Sequence, residues 1–153
     1  MKETNRILDQ MGRAFAGDAW HGPSLMRLLD GIAAEDASRH PLPQAHSIWE
    51  LVHHVSAWKG IVLHRLMGQA GEVTAERDWP PVWDTSEIAW RRALESLAES
   101  QERLAEFAAG VTDEQLDEMP RGCEHTRYAM LHGVVQHDLY HAGQIAVLKK
   151  ALG

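Results

Sequence analysis

The chain has 153 residues, a formal net charge of −7, 44% hydrophobic and 24% charged residues, which predicts a single globular domain over 1–153 with a substantial core. An acidic balance without a Lys/Arg cluster excludes a phosphate-backbone interface, so no nucleic-acid partner is expected, and the single cysteine, Cys123, excludes both an internal disulfide and a cysteine-built zinc site. No run approaches the ~20 apolar residues of a membrane span, and the opening Met1–Asn5 is polar rather than a secretory leader; the expectation is a cytoplasmic protein without a membrane partner.

The periodicity is helical throughout, with no alternating strand pattern, so the predicted class is all-α. A first helix is expected from Lys2 to Ala16, carrying Ile7, Leu8, Met11 and Phe15 on one side, and ending at Gly17 and Gly22-Pro23. A weaker helical stretch follows from Ser24 to about Arg39, closed by Pro41 and Pro43. Ser47-Ile48-Trp49-Glu50 reads as a capping box that opens a helix to about Met67. Residues 69–82 read as a loop containing Pro80-Pro81. Asp84 to Glu87 resembles a second capping box with Asp84 at the cap, opening a helix to about Ala109. A short turn is expected over Thr112–Glu118, and a last helix from about His125 to Leu152. Four long helices suggest a four-helix bundle.

Ten histidines are the unusual count. In the last helix the apolar seam Met130, Val134, Ile145, Leu148 is interrupted by His137 and His141, at spacings that follow one side of an α-helix. Two imidazoles four residues apart have Cβ atoms roughly 6 Å apart, close enough to share one metal ion. Burying them unpaired would be costly. The helix opened by Ser47 offers a third ligand. Its apolar face is Ile48, Leu51, Val52, Val55, Val62 and Leu66. His54 falls at the edge of that face; His53 and His64 fall on the opposite, solvated side. The candidate metal set is His54, His137 and His141. Three imidazoles with an open position suit a divalent cation, zinc or nickel foremost and iron as well, and spacing does not choose among them.

Two stretches carry a resemblance: His46-Ser47-Ile48-Trp49-Glu50-Leu51-Val52-His53-His54, and Gln136-His137-Asp138-Leu139-Tyr140-His141-Ala142-Gly143-Gln144-Ile145. They resemble the DinB-like superfamily of bacterial helical proteins, including the YfiT-like metal-dependent hydrolases. The resemblance implies a four-helix bundle with a long crossover between its second and third helices, metal on His54, His137 and His141, and a possible homodimer. It also implies thiol-dependent S-transferase chemistry on small-molecule electrophiles, with a low-molecular-weight thiol as cosubstrate.

Other roles follow from position. Asp138, beside His137, is the candidate catalytic base, in the place of the Glu of helical His-Glu-x-x-His metalloproteases; alternatively it accepts a hydrogen bond from a ligand or a neighbouring helix. Trp20 and His21, in a loop before Gly22-Pro23, and Gln144 are candidate substrate contacts. Glu50 could orient His54, although its capping role accounts for it. Trp49, Trp58, Trp79, Trp83 and Trp90 are expected in the core or at an interface rather than in the pocket, and Cys123 is expected to be inert. The functional expectation is an S-transferase; the alternatives are a hydrolase using metal-activated water, a non-catalytic metal-binding sensor, and a helical scaffold with hydrogen-bonded histidines.

Overall fold

Helix ends set the architecture of this computed structural model, which describes residues 2–153. Ser47 Oγ accepts the Glu50 N–H and the Glu50 carboxylate accepts the Ser47 N–H, completing the expected capping box. Eight helices form among the described residues, and no strand: α1 (Glu3–Phe15), α2 (Leu25–Leu29), α3 (Ala34–Ser38), α4 (Ile48–Leu66), α5 (Ala75–Asp78), α6 (Glu87–Ala109), α7 (Asp113–Leu116) and α8 (Arg127–Leu152). The four long ones, α1, α4, α6 and α8, touch in the cycle α1–α6–α4–α8.

The stretch read as one helix over 24–39 is two. Gly31 takes the left-handed conformation (φ 74°) and breaks it. Neighbouring helices then take up the freed backbone groups. Trp90 Nε1 donates to the Ile32 carbonyl at 2.7 Å, Glu87 accepts the Ala34 N–H at 2.8 Å, and Lys149 donates to the carbonyls of Leu28 and Asp30. The cap of α6 is also two residues later than expected. Ser86 Oγ accepts the Ala89 N–H, and Asp84 instead accepts from the Ser86 N–H. The N-terminus of α1 is capped from a distance: Asp113 accepts the N–H groups of Glu3 and Thr4, which hold its carboxyl below the usual range.

Contacts along α4 give the topology. Trp49 meets Trp90, and Ser56 reaches Ser100, so α4 and α6 run parallel. His54 meets His141 and Lys59 meets Asp138, so α4 and α8 run antiparallel. A parallel pair in sequence order forces residues 67–86 to return along α4, which at 19 residues is about 28 Å long. This is the long crossover. It contains α5, in the segment read as plain loop; Thr74 Oγ1 caps it by accepting the Arg77 N–H.

The core is divided. One apolar cluster includes Phe15, Leu29, Trp49, Val52, Trp90, Leu97, Ile145 and Leu148. The other includes Ile7, Met11, Leu66, Leu104, Leu131 and Val134. Between them lie the buried polar residues His54, Lys59, Gln101, Asp138 and His141. Burying polar groups in mid-bundle is costly unless each finds a partner, so this band is where function is to be sought.

Candidate metal centre

Helix α4 supplies His54, and α8 supplies His137 and His141. His137 Nε2 lies 3.1 Å from His54 Nε2 and 3.1 Å from His141 Nε2. Two nitrogens gripping one zinc-like ion at about 2.0–2.1 Å each can be no more than ~4.2 Å apart, so both pairs are within reach.

Hydrogen bonds on the far side of two rings decide which atoms face inward. His54 Nδ1–H donates to the Asp78 carbonyl at 2.6 Å, and a carbonyl can only accept. His141 Nδ1–H donates to Gln144 Oε1 at 2.6 Å. A neutral imidazole has one N–H, so Nε2 of both rings carries a lone pair toward the centre. His137 can offer at most one proton to the two of them. At least one lone pair is therefore left over, and protonation is a poor remedy. Burial holds His54 and His141 below the ordinary imidazole range. Burial, then the neighbouring His141, His54 and Lys59, pushes His137 down to about 3. A divalent cation satisfies all three nitrogens together; the donor set fits one, and the three histidines could hold a metal ion.

The crossover covers this cluster. Trp79 stacks on His54 (3.8 Å between centroids, 13° between planes) and, on its other face, on His46 (3.6 Å, 10°). Asp78 accepts the Trp58 indole N–H at 2.7 Å while its backbone holds His54. Sequence reasoning missed this strap. Trp58 and Trp79 belong to the site, whereas only Trp49 and Trp90 are core, and Trp83 is exposed. The available signal was Thr74, a helix-capping residue inside an apparent loop. His53 is not solvated either: its Nε2 accepts the Trp49 indole N–H, and its Nδ1 faces the Pro80 carbonyl. His64 is exposed, as expected.

The other candidates separate clearly. Asp138 does not face the cluster as a free base. It is 0% exposed, and both its oxygens accept from Lys59 Nζ, at 2.8 and 2.7 Å, with Lys59 itself 1% exposed. This is the second of the two readings of Asp138, a partner for a neighbouring helix. Gln144 serves as the partner of His141. Trp20 and His21 lie away from the cluster, exposed beside a hollow lined by Arg13, Val135 and Leu139, on the opposite side of α8. Glu50 is used by its capping box and by His40 and His46, and does not orient His54. Cys123 is free and half-buried.

A pocket of about 450 Å³ opens beside His137, between α4 and α8. The family model described as the DinB superfamily matches residues 19–145, a span that contains the whole cluster and its strap. The chain belongs to the DinB superfamily. Comparison with curated proteins and with solved structures gives no match. Among the described residues, no helix of this DinB-superfamily chain is long and apolar enough to cross a membrane.

Proposed function

We propose that this chain is a metal-dependent enzyme, a thiol-dependent S-transferase acting on small electrophiles. The observation that carries the reading is the meeting of three neutral imidazoles, two of them with their lone pairs fixed inward by Asp78 and Gln144. A divalent cation held by His54, His137 and His141 would supply Lewis acidity, which favours the deprotonated form of a thiol or of water. The chain's own residues argue for the thiol. Among the described residues, Asp138 is locked to Lys59 and Asp78 Oδ1 already accepts the Trp58 indole N–H, which makes both carboxylates near the cluster weaker bases toward water. A thiol, with a pKa of about 8.5, needs far less help to ionise at neutrality than water at about 15.7. The thiol's proton passes to solvent, the thiolate sulfur attacks the electrophilic carbon, a C–S bond forms, and the leaving group departs with its electron pair. Trp79 excludes solvent from the His54 face, and the pocket beside His137 gives the electrophile a place to lie.

Elemental analysis of wild type, His54→Ala and His141→Ala tests the site. Near-stoichiometric metal in the first and its loss from both folded variants is expected. Turnover of a chloro-nitroarene with bacillithiol, mycothiol or glutathione, abolished by a chelator, tests the reaction. Failure with all three thiols, alongside chelator-sensitive hydrolysis of an activated ester, would make the enzyme a hydrolase.

A further inference from the structure

The pocket beside His137 also has a chemical signature. Its α4 wall is Trp58, Lys59, Val62 and Arg65; its α8 wall includes Met130, Gly133, Val134 and His137. Three features bear on what it takes.

The first is an uncompensated cation. Lys59 is neutralised by Asp138, but no carboxylate pairs with Arg65 among the described residues. Arg65 sits in the last turn of α4, where a cation complements the helix dipole. Its guanidinium, however, folds back over the Trp58 ring at 5.3 Å, the direction helical side chains favour. Lying over the ring face, the guanidinium keeps its N–H donors for a bidentate acceptor.

The second is distance. The Trp58 ring lies 5.9 Å from the His137 ring. With the 5.3 Å from Arg65 to the same ring, this bounds the guanidinium to roughly 11 Å from His137. One small molecule can span both.

The third is Gly133, in the second turn of α8. Glycine there costs about 1 kcal/mol of helix stability relative to alanine, yet a methyl at Gly133 would meet no atom within 4 Å. A side chain at Gly133 would therefore enter open pocket space rather than protein.

We propose that this pocket binds the electrophilic substrate as a small amphipathic carboxylate, its apolar body along Val62, Gly133 and Val134 and its carboxylate on Arg65. The inference rests on the transferase reading only in assigning the ligand to the electrophile. Apolar walls do not suit the peptide-like body of a thiol cosubstrate such as glutathione.

The test is calorimetric titration of the full, metal-loaded chain with 4-phenylbutyrate and with its neutral amide. The acid should bind at least tenfold tighter than the amide. Arg65→Gln should reduce that ratio to near one with metal content unchanged, and Arg65→Lys should retain part of it. Gly133→Leu, whose Cβ would meet no atom within 4 Å and whose longer side chain would extend into the pocket, should lose both ligands. Glutathione should not displace the acid. Equal binding of acid and amide, a preference that survives Arg65→Gln, unchanged binding in Gly133→Leu, or displacement by glutathione would each overturn the proposal. His141→Ala separates it from the metal reading. An Arg65-dependent preference that persists without metal supports the pocket even if no turnover is ever found. A preference that vanishes there puts the carboxylate on the cation and refutes the role of Arg65.

Discussion

Replacing Asp138 by Asn tests whether that carboxylate is structural. The substitution keeps volume and removes the charge, leaving the Lys59 ammonium 1% exposed with one neutral amide oxygen in place of its two carboxylate contacts of 2.7–2.8 Å. Breaking a buried pair from one side typically costs about 3–5 kcal/mol. The same limit follows from proton release. Burial already pushes Lys59 down and Asp138 up, against their mutual attraction; without Asp138, Lys59 can shed its proton. From an unperturbed pKa near 10.4, neutralisation at pH 7 costs at most about 4.6 kcal/mol. At pH 9 that ceiling is about 2.7 kcal/mol lower. The sign follows: with the folded Lys59 pKa depressed, the unfolded chain binds more protons, so the variant gains stability as pH rises toward the unfolded value. Urea unfolding of chelator-treated Asp138→Asn should therefore show a deficit of about 3–5 kcal/mol at pH 7, or roughly 6–20 °C in Tm for a chain of this size, shrinking at pH 9. The double variant Lys59→Met with Asp138→Leu should return close to wild type. Metal content per folded molecule should not change. A loss under about 1 kcal/mol at pH 7, or one that does not shrink at pH 9, would refute the buried-pair reasoning.

Three further outcomes follow. With unfolded imidazoles near pH 6.5 and all three ligand histidines held lower in the fold, His137 at about 3, the metal-free protein should keep full stability above about pH 6.5 and lose it as pH falls toward 3; a Tm unchanged between pH 7 and 4 contradicts this, and zinc titration at pH 7 in buffers of different ionisation enthalpy should show almost no proton release. Gln144→Leu removes the acceptor of the His141 Nδ1–H and should weaken metal affinity about 10–100-fold in a chelator competition; an unchanged affinity would dismiss Gln144 as an orienting partner. Gly133→Ala, with open space for its methyl, should raise stability by up to about 1 kcal/mol, and a lower Tm would mean that the glycine is needed for packing.

The apolar seam of α8 and the face of α4 were legible in the chain because helical periodicity is a local property. Met130, Val134, His141, Ile145 and Leu148 are buried, with His137 half-buried among them, and His54 turns inward from α4 as the helical wheel requires. The Ser47–Glu50 box was legible for the same reason, since cap and partner are three residues apart. Contacts made across the bundle were not. The strap that places Asp78 and Trp79 on His54 depends on α4 and α6 being parallel, which no window of sequence states. The break at Gly31 is tolerated because Trp90, Glu87 and Lys149 arrive to satisfy its backbone. Asp138 beside His137 suggested a base by adjacency, yet helical geometry turns it toward Lys59, 79 residues away. Residue spacing determined which histidines share a side of a helix; only the packing of one helix on another, and the polar partners it delivered, decided which groups are fixed, which are neutralised, and which are left free to act.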